Sequence, residues 1–286
     1  MIRSFLFLCA LYNWVLSPQI GYAVSYPLGE IDPEIAATQQ GSEKLVYKVS
    51  WTGGIKIGNI WMEVNRIDEA GTRFELVARV KDSGIFHFFY PVNDSFVTII
   101  DGETRLPITY KVVQEEGSSY TARRHTEYDQ ENGTIRYQKN EQEPKFYQVD
   151  GGVHNEFSSF FITRLLYLDP ERPVLVPTFA DGNRHEVVVQ TGKPVRINKT
   201  VRGDVNVLPV TPIIEFKGLY DKDGDTVIWL TDDACRVPVR INSKILIGSL
   251  TAELISYSNP FCKDQSIHHS SVPEGYQKRP KLELGD

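Results

Sequence analysis

Residues 73–81, RFELVARVK, decide the fold class, because their apolar and charged side chains alternate almost without a break. Alternation with period two is typical of a β-strand that buries one face and exposes the other to water. The same pattern runs through residues 45–51 and 60–64. The three segments therefore predict neighbouring strands of an antiparallel sheet with one solvated face.

Turn residues separate these strand-like runs at regular intervals. Glycine reaches the positive φ angles that tight hairpins need, and it recurs at the predicted turns: Gly53 and Gly54, Gly71, Gly102, Gly117, Gly133 and Gly182. The regular spacing predicts a meander. In the second half the apolar pattern predicts further strands at 185–190, 195–201, 213–216, 227–230 and 237–241, and one long strand at 245–257.

One segment changes to a helical period. Apolar residues between 155 and 168 recur at helical spacing, Asn155 is a suitable N-cap, and Asp169-Pro170 ends the run. The apolar face is wide, so we expect this helix to be buried against the sheet. The predicted fold is mainly β (α+β): a long, curved antiparallel sheet or half-barrel with one buried helix.

The N-terminus has the layout of an export signal. Arg3 precedes an apolar stretch at residues 5–16, and small residues follow at Gly21 and Ala23. Polar residues keep the stretch below the roughly 20 apolar residues of a membrane anchor, so we expect cleavage after Ala23. The prediction is a periplasmic or secreted protein with no transmembrane segment in the mature chain.

The chain then divides by composition into three parts. Residues 24–42 carry no sustained periodicity and are predicted to be a leader lying over the surface. Residues 43–262 are predicted to form a single β-rich domain, with a subdomain break near 151 as the open alternative. Residues 263–286 lack apolar periodicity and are predicted to be a disordered tail.

Charge and cysteine content restrict the partners and the compartment. The chain has 31 Lys and Arg against 37 Asp and Glu, and loss of Arg3 with the signal leaves a net charge of −7. Nucleic-acid binding needs clustered positive charge, so we expect no nucleic-acid partner. Cys235 and Cys262 remain in the mature chain, where an oxidising compartment permits a disulfide. The alternative is two separately buried thiols.

No catalytic or metal-binding motif is present in the sequence. A nucleophile elbow, a phosphate loop and a dinucleotide fingerprint are all absent. Asp221, Asp223 and Asp225 alternate around Gly224, but Thr226 stands where a calcium loop has its glycine. We expect an acidic hairpin turn there, and we expect no metal, no cofactor and no enzymatic activity.

Residues 85–91, IFHFFYP, are the most apolar and aromatic connection in the chain. Binding sites are commonly lined by aromatic side chains, so this segment is a candidate lip that touches an apolar ligand. The alternative is a buried strand or crossover that continues the core. The candidate ligand-binding residues lie on this segment and on the predicted helix: Phe86, Phe88, Phe89, Tyr90, Phe157, Phe160 and Phe161.

Short motifs in a specific order suggest a family. They are Tyr47-x-Val49-x-Trp51, Gly54, Gly58, Ser83-Gly84, Tyr90-Pro91-Val92 with Asp94, Phe157-Ser158, Ile228-Trp229-Leu230 and Arg236-x-Pro238-Val239. Together they resemble Domain of Unknown Function 3108, a family of secreted bacterial proteins, over about residues 43–258. The resemblance implies an envelope location. It implies no assigned reaction and supplies no catalytic residue.

Two functional hypotheses follow from these patterns. The predicted sheet and helix are similar, by analogy of fold, to periplasmic half-barrel carriers of lipids and lipoproteins. The first hypothesis is thus a non-enzymatic carrier or binding protein for an apolar, lipid-like ligand held between the concave sheet and the helix. The alternative is an assembly or scaffold protein that contacts another envelope protein, with a hydrolase a distant third. An open pocket beside 85–91 favours the carrier, and a closed core favours the scaffold.

Overall fold

The computed structural model describes residues 26–262 except 69, 71, 85, 181, 214–225 and 246–247. The predicted signal peptide, the predicted tail, most of the predicted strand at 213–216 and the predicted acidic turn at 221–225 lie outside the described residues. The helices are α1 (Pro33–Thr38), α2 (Phe86–Phe89) and α3 (Glu156–Thr163), with a 3-10 turn at Thr52–Gly54. The strands are β1 (Glu43–Trp51), β2 (Ile55–Arg66), β3 (Arg73–Asp82), β4 (Asn93–Asp101), β5 (Pro107–Glu116), β6 (Tyr120–Asp129), β7 (Thr134–Lys139), β8 (Lys145–Gln148), β9 (Val174–Ala180), β10 (Asn183–Thr191), β11 (Val195–Thr200), β12 (Gly203–Ile213), β13 (Thr226–Thr231), β14 (Pro238–Lys244) and β15 (Ser249–Ser258).

All fifteen of these strands belong to one antiparallel sheet, and the sheet is not closed. Its order is β8-β7-β6-β5-β4-β3-β2-β1-β15-β14-β13-β12-β10-β9, and β11 pairs with β12. The first and last strands meet at the centre, where Leu45 lies opposite Tyr257. The predicted mainly β class, with a long antiparallel sheet and a buried helix, is confirmed.

The sheet curves until its two ends approach each other. The Tyr147 ring on β8 packs edge-on against the Phe179 ring on β9, with 5.2 Å between ring centroids. The chain that follows β8 bonds directly to β9. The His154 amide donates to the Pro177 carbonyl at 2.8 Å. Contact between the terminal strands explains how a single sheet encloses its own core.

Helix α3 begins where the sequence predicts and ends earlier. The Asn155 side chain caps it by accepting from the amides of Phe157 and Ser158 at 3.0 and 2.8 Å. The prediction extended the helix to residue 168, but α3 ends at Thr163. After Thr163 the backbone bonds to the leader and no longer to the next turn of the helix. The Asp32 amide donates to the Leu165 carbonyl at 2.7 Å.

Two further differences concern the leader and the last strand. Part of the leader forms α1, which packs the side chain of Ile35 into the core. A six-residue helix with one buried apolar residue leaves no readable periodicity, so the sequence did not predict it. The predicted long strand at 245–257 is wrong at its start. The Ile245 amide donates to the Gly248 carbonyl at 3.1 Å, and this turn separates β14 from β15.

Cys235 and Cys262 form a disulfide with their Cα atoms 5.9 Å apart, which confirms that prediction. The bond ties the β13–β14 connection to the chain that follows β15. Both cysteines pack in a buried cluster with residues of β1, β14 and β15. None of the described helices has the length and hydropathy of a membrane-crossing segment.

Candidate functional site

The concave face beside α3, where a ligand pocket was predicted, is filled by protein side chains. Phe161 is buried, and Phe157 and Phe160 are half-buried and pack against the same core cluster. The void among them measures about 10 Å³, the lower limit of the space for one water molecule. An acyl chain has no room at this position, so the three phenylalanines act as core residues.

A buried ion pair lies at the same place, and sequence reasoning missed it. Arg164, just after α3, donates through both terminal nitrogens to the two carboxylate oxygens of Glu43 on β1, each at 2.8 Å. The side chains are only 2% and 1% exposed. The Arg164 Nε also donates to the Arg236 carbonyl at 3.1 Å. No local pattern could have predicted a pair that is 121 residues apart.

The Glu43 carboxylate favours the charged form of Arg164. Burial alone would lower the pKa of Arg164, but the adjacent Glu43 carboxylate outweighs burial and raises the pKa above its ordinary value. Two tyrosines lie beside the pair, and burial raises the pKa of both Tyr47 and Tyr257. The arrangement is a buried polar cluster that connects the end of α3 to β1.

The aromatic segment, residues 86–91, lies on the outside of the molecule. Its first four residues form the short helix α2. The side chains of Phe88, Phe89 and Tyr90 are 85%, 78% and 51% exposed. The side chain of Phe86 lies outside the described parts of the structure. The rings of Phe88, Phe89 and Tyr90 therefore neither continue the core nor line the void beside the α3 phenylalanines.

Hydrogen bonds hold the base of the aromatic segment firmly against the sheet. Asp82, at the end of β3, accepts from the Val92 amide at 2.8 Å and contacts the His87 ring nitrogen at 2.9 Å. The Tyr90 hydroxyl donates to Glu116 at 3.1 Å. The Gly117 amide donates to the Pro91 carbonyl at 2.8 Å, and the Tyr90 ring lies against Gly117. The exposed rings thus stand on an ordered support.

Carboxylates surround this support, and we call them the acidic collar. They are Asp82, Asp94, Glu115 and Glu116. Burial raises the pKa of Asp94 to about 6, opposed by its hydrogen bond from the Glu115 amide and assisted by the Glu116 charge. Lys81 is the one lysine in residues 81–94 and 113–117. Asp94 is buried and the Asp82 side chain is 6% exposed, so the negative charge of the collar reaches the surface through Glu115 and Glu116.

No metal centre is found within the described part of the chain. There, no three side chains of His, Cys, Asp or Glu type are grouped so that they could hold an ion. The acidic turn at 221–225 lies outside that part.

Comparison with known proteins gives a family match and a similarity of fold to solved structures. A family model described as a protein of unknown function, DUF3108, matches residues 46–255. The chain is similar to a solved structure, the beta-barrel-like protein of Domain of Unknown Function DUF1849 from Brucella abortus, with a TM-score of 0.53 and 10% identity. The match covers 77% of this chain and 98% of that chain. At this identity the likeness concerns the fold alone. No curated protein matches the chain.

Proposed function

Because the chain belongs to the DUF3108 family, whose description assigns no reaction, we propose its function from geometry: a non-enzymatic envelope protein that binds another protein through its aromatic segment. The observation that carries this proposal is the exposure of Phe88 and Phe89, at 85% and 78%, on a well-supported short helix. Exposed adjacent aromatic rings on a soluble surface are typical of interaction sites. Large rings with few rotatable bonds also supply much contact area at low entropic cost.

The filled concave face argues against the lipid-carrier hypothesis. A carrier needs a cavity of several hundred cubic ångströms for its ligand, whereas the void beside α3 measures about 10 Å³. Three of the aromatic residues expected at the lip of that pocket, Phe88, Phe89 and Tyr90, are exposed to solvent instead. The scaffold alternative therefore fits the arrangement better than carriage of an apolar ligand does.

The acidic collar restricts the chemistry of the partner. Glu115 is exposed and Glu116 is half-buried, and Glu116 accepts from the hydroxyl of Tyr90, the residue that follows the projecting rings. Carboxylates around an apolar contact favour a partner whose apolar pocket is bordered by lysine or arginine. The same charges disfavour an anionic membrane surface, which would repel them. We therefore take the partner to be a protein with a basic-rimmed apolar pocket.

The envelope location rests on two features. The N-terminal sequence has the layout of an export signal, and the Cys235–Cys262 disulfide is of the kind that persists in an oxidising compartment.

A photo-crosslinking experiment in the producing bacterium tests the aromatic segment. Replacing Phe88 or Phe89 with p-benzoylphenylalanine should give a protein adduct after irradiation, because these rings would lie inside the partner's pocket. The same label at Tyr167, an aromatic residue that is 51% exposed elsewhere on the surface, should give none. Mass spectrometry of the adduct should place the crosslink in an apolar pocket with basic residues.

A charge-reversed background provides the control for this experiment. Glu115→Lys with Glu116→Lys should abolish the Phe88 adduct. Phe88→Ser with Phe89→Ser should change the free energy of unfolding by less than about 0.5 kcal/mol, because the rings are exposed. An adduct to lipid, or no adduct at either position, would contradict the proposed function.

A further inference from the structure

Strand β8, at one end of the sheet, pairs with β7 on one side, and its outer edge has no partner strand among the described residues. In the register of β7 and β8, Ile135 lies opposite Tyr147 and Arg136 lies opposite Phe146. The Val149 amide donates to the Gly133 carbonyl at 2.8 Å. Since hydrogen-bonded pairs alternate along an antiparallel ladder, the amides and carbonyls of Phe146 and Gln148 point away from β7.

Strand β9, at the other end of the sheet, has an outer edge that is covered by other parts of the chain. Two short chain segments bond to the outer edge of β9. The Gly29 amide donates to the Leu175 carbonyl at 2.9 Å, and the Phe179 amide donates to the His154 carbonyl at 2.7 Å. Within the described residues, no strand or isolated bridge pairs with the outer edge of β8. An uncovered edge is a template for an added strand.

A cleft of about 530 Å³ lies beside this open edge. It separates the end of β8 from the connection between β9 and β10, and its lining includes Tyr147, Val149, Asp150, Phe179, Asn183 and Arg184. Tyr147 and Phe179 form the aromatic contact described above. The cleft therefore sits at the point where the two ends of the curved sheet approach each other without pairing.

Arg184, which lines the cleft, carries a hydrogen-bond donor without a partner among the described residues. Its Nε donates to Glu186 at 2.7 Å, so part of its charge is already neutralised. Its Nη1 is buried and has no hydrogen-bond partner in the parts of the chain that the structure describes. A buried donor without an acceptor costs free energy. A neutral acceptor such as a peptide carbonyl would satisfy this nitrogen without adding a charge beside Glu186 and Asp150.

We propose that this cleft binds an extended peptide segment of a partner protein, which adds to β8 as a further strand. The four residues of β8 span about 13 Å, enough for about four peptide residues. Main-chain bonds to Phe146 and Gln148 would supply affinity, as in other strand-addition complexes. Alternate side chains of the peptide would lie over Tyr147 and Phe179, and one peptide carbonyl would accept from Arg184. This surface is separate from the aromatic segment, so the inference stands apart from the proposed function.

A peptide library with a matched pair of variants tests the proposal. The probe is a phage-displayed library of random twelve-residue linear peptides, from which the enriched peptide is synthesised and its affinity measured. Phe146→Pro removes an outward-pointing amide that β7 does not use, and edge strands tolerate such a proline. Phe146→Ala loses the same ring but keeps the amide. Peptide binding should be at least tenfold weaker in Phe146→Pro than in Phe146→Ala.

Two further measurements separate strand addition from other modes of binding. Arg184→Gln should weaken the peptide about tenfold, whereas Phe88→Ser with Phe89→Ser should leave its affinity unchanged. Amide hydrogen exchange in the unmutated protein should slow at Phe146 and Gln148 when peptide is bound. This readout holds even where Phe146→Pro fails to fold. The proposal is overturned by a library that enriches no peptide, by equal affinities in the matched pair, or by unprotected amides at both positions.

Discussion

Glu43 and Arg164 form a buried ion pair in which each side chain compensates the charge of the other. Both side chains are almost fully buried and meet through two parallel hydrogen bonds of 2.8 Å. Removing two charges from water costs much of what their attraction returns, so such a pair adds little net stability compared with apolar side chains of similar size. The two parallel hydrogen bonds also restrict how the chain at the end of α3 can lie against β1.

Replacing one partner of this pair should be far more damaging than replacing both. Arg164→Met leaves the Glu43 carboxylate buried and uncompensated, so we expect the free energy of unfolding to fall by about 3–5 kcal/mol. Glu43→Leu should cost a similar amount. The double variant should lose clearly less than the sum of the two, as measured by urea denaturation of all four proteins. Additive losses would mean that the two charges do not depend on each other.

At the scale of single elements, the sequence predicts a boundary well only where a local interaction sets it. Asn155 marks the start of α3 because its cap is a local interaction. The end at Thr163 depends on the leader, which bonds to the Leu165 carbonyl from 133 residues earlier in the chain. The start of β15 was missed for a different reason, since apolar residues continue from 245 to 247 and hide the boundary before Gly248.

The α3 phenylalanines also show which property of a site cannot be predicted from sequence. An apolar helix face looks the same in the sequence whether it meets a ligand or other side chains. The filled space beside Phe161 was therefore visible only in the structure. The aromatic segment was recognised from its composition, but its exposure depends on where the β3–β4 connection projects from the sheet.

Truncating one ring of α3 should carry the full penalty of a packed core. Phe161→Ala should lower the free energy of unfolding by roughly 3–5 kcal/mol, because Phe161 is 3% exposed and the void beside it is small. Phe88→Ala is the matched control and should cost less than about 0.5 kcal/mol. Thermal unfolding of both variants gives the comparison. A loss near 1 kcal/mol for Phe161→Ala, together with saturable binding of an apolar dye by the native protein, would restore the carrier hypothesis.

For the molecule as a whole, period-two alternation was enough to predict an antiparallel sheet, because each strand carries its own pattern of burial. The strand order could be predicted only in part. Hairpins between sequence neighbours follow from the turns, whereas the pairing of β1 with β15 joins segments about 200 residues apart. No local sequence pattern predicts that pairing. The curvature that brings β8 to β9 likewise arises from accumulated strand twist and from packing around α3.

The contacts around α3 also decide whether the chain unfolds as one unit. Strands β1–β8 form one half of the sheet and β9–β15 the other, and the two halves meet through β1 and β15. Arg164 bonds to Glu43 in the first half and to the Arg236 carbonyl in the second. Because each half uses the other to complete its core, neither should remain folded alone, and we expect one cooperative transition rather than a break near residue 151.

Tryptophan fluorescence can follow the two halves of the mature protein separately. Trp51→Phe with Trp229→Phe leaves Trp61 to report on the first half, and Trp51→Phe with Trp61→Phe leaves Trp229 to report on the second. The melting temperature of each double variant should be the same by fluorescence as by calorimetry, because both halves unfold together. The calorimetric and van't Hoff enthalpies should agree, at roughly 150 kcal/mol for a domain of this size. Two fluorescence transitions several degrees apart, with a calorimetric enthalpy well above the van't Hoff value, would instead mean that the halves are separate subdomains joined near residue 151.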